Sequence, residues 1–482
     1  MEQTFFSEPI QNKGIRNTTL VWFSLSLVLF LVPAAFGFLM RSIQGNLLQD
    51  SHHLFYHFLT SHGLLMVGIW FTSAMALLTF SLSKYVKPRV GMYIVSLSLI
   101  VVGALMSLWA VFIGDMATGW YFLYPLPMRI GTATGRIVFL SSIGVLGVGW
   151  LLWSIDLLLA IAKKYTLPET LGWHYIFGES GREVPPIIMI AVVSLIAIIV
   201  CILIAVILLL LYLLEIASSV VNDALLMKNL VFVFGHTVAN MNLYLVIAVF
   251  YEYFPKFGGG EFKNGRMLAI VWNSVLGIVL FAYFHHLYMD FIQPTVVQYI
   301  GQFASYGAGV AAATFTIFSV LAFVSTHKMN WNFSSLLLFI SVAMWTIGGV
   351  AALIDATIPV NFKMHNTLWV PAHFHTYYFT GAATMILSFM WTIACEVSGA
   401  GEQPWMKKFL LPLLLAGASG FLLMFYFGGL HSIPRRYEVY PVELSEGTAY
   451  AKAAAYSILL FFAGYIVFMG MVLKRFLRGM KT

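Results

Sequence analysis

Residues 232–256 read FVFGHTVANMNLYLVIAVFYEYFPK. The run is apolar for long enough to cross a bilayer, which takes about 20 residues of helix. Yet it carries His236 near one end, Asn240 one turn further on and Tyr244 one turn beyond that. Ionisable groups at membrane depth are costly and usually mark function. Similar runs recur at 18–40, 54–82, 90–114, 136–162 and 186–214, then 226–254, 266–289, 297–326, 333–355, 368–395, 409–430 and 449–473. The pattern predicts an all-α integral membrane protein, a bundle of twelve transmembrane helices. Its short connections predict a single membrane domain over 1–482.

Composition agrees. Of 482 residues, 60% are hydrophobic and 9% charged, against about 25% charged in soluble domains. The first run follows a mixed polar segment with no cleavage site, which reads as a retained span. There is no internal repeat of the kind that builds transporters. The net charge of +7 reports topology and no nucleic acid partner. With both termini on one side, alternate loops divide the Lys and Arg into 18 on the side of the termini and 8 on the other. By the positive-inside rule both termini are cytoplasmic. Cys201 and Cys395 lie in apolar runs as small hydrophobes. No CxxC or CxxCH occurs, so a covalent heme or a thiolate-bound copper pair would sit on another subunit.

The chain has 13 histidines. On this topology His62, His236, the pair His285–His286, and the pair His373 and His375 come from four helices to a common depth. That depth is roughly 8–18 Å from the outer boundary. Imidazole is the commonest metal ligand. Residues 373 and 375 are about 200° apart around a helix, which suits one helix serving two flat cofactors. His285 and His286, about 100° apart, can converge on one ion at a fraying helix end, with His236 as a third imidazole. The count is a heme held by two histidines, a heme held by one, and a three-histidine metal. His52, His53 and His57 read as solvated near the interface, and His174 and His327 carry no assignment.

These residues resemble the catalytic subunit of the heme–copper oxidase superfamily over nearly the whole chain. The marks are SHGLLM, GH followed by YFPK, the distant HH, HNTLWVPAHFH and IPRR. HNTLWVP, YPLP and IPRR are most similar to the B-type branch. The resemblance implies two hemes and one copper: His62 and His375 on a low-spin heme, His373 on a high-spin heme, and His236, His285 and His286 on copper. It places His365, Arg435 and Arg436 near heme propionates, which suits Arg forks. It also implies a cupredoxin-like or cytochrome subunit II as electron donor, a small gas as substrate, surrounding membrane lipid, and the cytoplasmic membrane of a prokaryote, with the active site nearer the outer face. Tyr251 and Tyr244, with Thr314 and Thr316, resemble part of a B-type proton path, although Tyr251 is also placed as an interfacial anchor.

Asn240 departs from the pattern. Oxygen-reducing members of the A and B branches carry a tyrosine there, joined to the helix 6 histidine; a third branch carries it on helix 7, about twenty residues before HH, where this chain reads NGRM without a tyrosine. Tyr244 is two turns from His236 and Tyr283 lies on a different face from His285, so neither is an obvious substitute. Four-electron cleavage of dioxygen draws one electron from that tyrosine. Coupling two nitric oxides needs only two electrons. The sequence therefore favours a nitric oxide reductase, with a B-type cytochrome c oxidase, proton-pumping or not, as the alternative. A heme protein for sensing or electron transfer is a third reading. If iron replaced copper, Glu215 would be the candidate carboxylate ligand. A green fluorescent protein fused after Thr482 should fluoresce, and alkaline phosphatase fused there should be inactive; active phosphatase would invert the topology.

Overall fold

The computed structural model describes residues 4–481 apart from 51, 53 and 219; His53 therefore lies outside the described residues. Twelve helices are long and apolar enough to span a membrane. Spans 1 to 6 are Lys13–Gln44, Phe55–Leu82, Val90–Phe112, Ala133–Ala162, Pro186–Ala217 and Ala224–Gly258. Spans 7 to 12 are Arg266–Leu287, Thr295–Thr326, Phe333–Asp355, Trp369–Ser398, Met406–Leu430 and Val442–Gly479. No strand occurs among the described residues. Helices are what this sequence can form in hydrocarbon, because each satisfies its own backbone.

The spans are not equally enclosed. Buried share is 89% for span 10, 72% for span 2 and 61% for span 6, against 33% for spans 8 and 12. The three most enclosed helices are those that carry His373 and His375, His62, and His236. The bundle thus wraps around three of its four histidine-bearing members; span 7, with His285 and His286, is 39% buried. Spans 8 and 12 keep apolar side chains such as Phe303, Phe318 and Ile466 on the outside, as lipid-facing helices do.

Regular helix gives way at three places near the histidines. Span 1 breaks at Phe30, between Lys13–Leu29 and Leu31–Gln44. Pro33 lacks the N–H that would bond the carbonyl of Leu29. Span 7 is α-helical over Arg266–Val279, and its end Ala282–Leu287 tightens into a 3-10 turn that carries His285 and His286. Span 10 has a π-helical turn, Tyr378–Ala383, directly after Trp369–Tyr377. Such turns cluster at functional sites. The 3-10 end of span 7 is the fraying helix end expected at His285 and His286.

Span 9 meets span 10 at the same level. A Cβ added at Gly348 would stand 2.5 Å from the Tyr377 nitrogen and 2.7 Å from its Cβ. Only a bare Cα allows that approach, as membrane helix interfaces often require. Gly348→Ala should therefore lower stability by about 1–3 kcal/mol, the usual cost of overpacking. Gly277→Ala, where nothing lies within 4 Å, should not. Thermal unfolding in detergent would compare them.

Candidate metal centre

All six span histidines line one cavity of about 410 Å³. At one end His62 and His375 face each other with ring centroids 6.2 Å apart and planes 25° apart. Two imidazoles on opposite sides of one iron, each bonded at about 2.0 Å, give a centroid separation of about 6.3 Å. Each ring donates Nδ1–H to a proline carbonyl: His62 to Pro33 and His375 to Pro371, both at 2.7 Å. A carbonyl can only accept, so this contact fixes the tautomer and leaves each Nε2 lone pair free. Metal-ligating histidines are oriented in this way.

At the other end, one ligand atom each from His236, His285 and His286 lies within 4.8 Å of the others. Imidazoles sharing an ion at about 2.0 Å lie within about 4 Å of one another, so a small contraction brings all three to bonding distance. His285 is held by Ser305 at 2.9 Å, whose own hydroxyl donates to the carbonyls of Gly301 (2.7 Å) and Ala282 (3.2 Å). Ser305 therefore accepts from His285 Nδ1–H and frees Nε2. Asn240 Nδ2 donates to the His236 carbonyl at 2.9 Å and lies 3.3 and 3.4 Å from the two ring nitrogens. It also lines the cavity. Between the two ends, His373 is buried with neither ring nitrogen hydrogen-bonded. Its Nε2 is 3.7 Å from Asp355, too far for a hydrogen bond.

Residues 17–470 match the family described as Cytochrome C and Quinol oxidase polypeptide I. The chain is a heme–copper oxidase subunit I. A cytochrome c oxidase subunit 1 of Thermus thermophilus is 21% identical, covering 95% of this chain and 83% of that protein. One from Cereibacter sphaeroides is 26% identical over 223 residues, 44% of this chain and only 37% of that protein. A quinol oxidase subunit 1 of Bacillus subtilis is 22% identical, covering 84% and 63%. A solved heme–copper terminal oxidase dimer superimposes with a TM-score of 0.81 at 19% identity, covering 96% of this chain and 84% of the other.

Heme–copper oxidases bind hemes and copper, and the residues of this subunit I fit them. The paired Nε2 atoms suit one heme iron, the unbonded His373 ring a second, and the three clustered imidazoles a copper ion. At the same end of the bundle, the guanidinium groups of Arg435 and Arg436 line the cavity. Among the described residues neither has a carboxylate ion-pair partner. Arg435 bonds Asn366 Oδ1 at 3.0 Å and Arg436 lies over the Tyr121 ring at 4.2 Å. Burial pushes both down to about 10, and both stay cationic at neutral pH. His365 is held below its ordinary value by burial and then by the Arg435 charge. These groups suit heme carboxylates.

Other expected residues fall elsewhere. Glu215 does not join the metal cluster. It is bound by Tyr124 at 3.2 Å and by Asn222 at 2.6 and 3.1 Å, where it secures the loop after span 5. His57 is only 14% exposed and bonds the exposed Asp115 at 2.7 Å, so it is less solvated than expected. Tyr244 lines the cavity with its ring perpendicular to Trp272. Tyr251 is buried and bonds Thr316 at 3.1 Å, so it is no interfacial anchor, and Thr314 ends a π-helical turn without joining that bond. The sequence reading missed Ser305, Asp355, Pro33 and Pro371. Only Pro371 left a signal, a carbonyl four residues before His375. Replacing His62 or His375 by Ala should remove the low-spin heme spectrum and spare the high-spin heme, and His285→Ala should remove copper and spare both hemes. Optical spectra and elemental analysis would read the outcome, and two hemes and one copper per chain are expected in the wild type.

Proposed function

We propose that this subunit I reduces nitric oxide, 2 NO + 2 e⁻ + 2 H⁺ → N₂O + H₂O. The observation that carries the reading is Asn240 at the position one turn after His236. An amide cannot be oxidised as a phenol can. The two phenols that the sequence offers in its place are engaged elsewhere. Tyr283 donates to Asn229 at 3.1 Å, and Tyr244 packs on Trp272; neither bonds His236. Bound hemes and copper supply the electron storage for a two-electron reduction.

In this reading His62 and His375 hold the low-spin heme and His373 the high-spin heme. His236, His285 and His286 hold copper, and His365, Arg435 and Arg436 hold heme carboxylates. Asn240 Nδ2 spends one hydrogen on the His236 carbonyl and offers the second to a gas oxygen in the cavity. The apolar walls, including Val238, Leu243 and Val279, exclude bulk water. Protons come from the opposite end along the Tyr251–Thr316 bond. Tyr244, two turns on and on the same face of span 6, passes them into the cavity, with Thr314 on span 8 as a further hydroxyl of the route. Electrons come from a cupredoxin-like or cytochrome subunit II on the outer face. The chain sits as one unit over 1–482 in a prokaryotic cytoplasmic membrane, with both termini inside and the histidine end nearer the outside.

A second reading, reduction of dioxygen to water, is favoured by relatives that bear the names cytochrome c oxidase and quinol oxidase. It requires another phenol to act as donor: Tyr244, Tyr283, or Tyr377, which lines the cavity and stacks on His373 with centroids 6.0 Å apart. Turnover of the purified enzyme with each gas decides. NO turnover should far exceed oxygen turnover, and rapid full reduction of oxygen with indifference to NO would refute the proposal. Asn240→Ala should keep both hemes and copper and lower NO turnover about tenfold, the worth of one hydrogen bond of about 1.4 kcal/mol.

A further inference from the structure

The two proline carbonyls reach their histidines by different routes. Pro371 lies one turn before His375 on the same helix, so that bond moves with span 10. Pro33 belongs to span 1, and its bond to His62 crosses between helices. Gly37 makes the crossing possible. A Cβ there would stand 2.8 Å from His62 Cε1 and 2.9 Å from Nδ1, closer than any real side chain tolerates. The bare Cα lets the imidazole lie directly on the span 1 backbone. Span 1 is broken at this level, with Pro33 in the first turn of the segment Leu31–Gln44. The break sets where the Pro33 carbonyl points.

We propose that Gly37 and the Pro33 carbonyl are positioning residues through which span 1 tunes the low-spin heme without contributing a ligand. The inference rests on His62 and His375 being the low-spin pair. An imidazole whose Nδ1–H is bonded to a carbonyl gains basicity as a ligand. A more basic ligand favours ferric over ferrous iron, so loss of the bond raises the midpoint potential. The His375 bond is intrahelical and stays as an internal reference.

The test uses the whole enzyme with its partner subunits, carrying Gly37→Ala. Redox titration of the low-spin band should show an upward shift at unchanged heme and copper content. Electron paramagnetic resonance should show an altered spread of low-spin g values. The high-spin heme should not move. Gly68→Ala lies in the same span as His62 with nothing within 4 Å, and should change neither reading. An unchanged potential and spectrum in Gly37→Ala, or an equal shift in Gly68→Ala, overturns the proposal. If Gly37→Ala does not assemble, electron–nuclear double resonance on the wild-type ferric centre decides. Two axial imidazoles with strongly bonded Nδ1 protons are expected, and one weakly bonded proton overturns it. His62→Ala separates the two ideas. A surviving bis-histidine signal removes the ligand pair and this inference with it. A lost signal beside a silent Gly37→Ala removes the inference alone.

Discussion

An imidazole in hydrocarbon carries two ring nitrogens with opposite needs. One must donate its proton, because an unpaired polar hydrogen far from water is costly. The other then holds a lone pair that nothing in a lipid-facing helix can use. The chain answers the first need from its own backbone and hydroxyls: Pro33 for His62, Pro371 for His375 and Ser305 for His285. The second need is left to converging lone pairs in a shared cavity. The architecture follows from that division. Three of the four helices bearing these rings are the most enclosed in the bundle, and departures from α-helix at Phe30, Ala282–Leu287 and Tyr378–Ala383 lie beside a ring or its acceptor.

Much of this was legible in the sequence. Long apolar runs gave the twelve spans, because hydrocarbon allows few alternatives to helix. The shared depth of the six histidines brought them to one cavity, and the HFH spacing separated His373 from His375. What escaped notice depends on contacts between distant segments. The 3-10 turn at His285–His286 cannot be read from hydrophobicity, since 3-10 and α turns bury the same residues. His57 looked solvated because its partner, Asp115, is far away in sequence. Glu215 was the candidate carboxylate ligand only for iron in place of copper, and its loop bonds to Tyr124 and Asn222 hold it away from the cluster.

Fold and chemistry separate at Asn240. Nearly the whole chain, 96%, superimposes on a terminal oxidase at 19% identity, which speaks for the bundle and says nothing of one side chain on span 6. The cavity walls, the imidazole set and the cationic pair Arg435 and Arg436 suit any member of the family. In the proposed reading the choice between gases turns on one amide, which back-bonds to its own helix and lies 3.3 and 3.4 Å from the His236 ring nitrogens.

The facing pair His62 and His375 joins the second span to the tenth, whereas the cluster of His236, His285 and His286 is complete once the seventh has entered the membrane. During synthesis, therefore, all three clustered imidazoles are present while one member of the facing pair is still missing. In the proposed assignment, the low-spin heme would be clamped only after most of the polypeptide has been threaded and folded back on itself. Its insertion would then be a closing event in biogenesis that ties the early part of the chain to the late part.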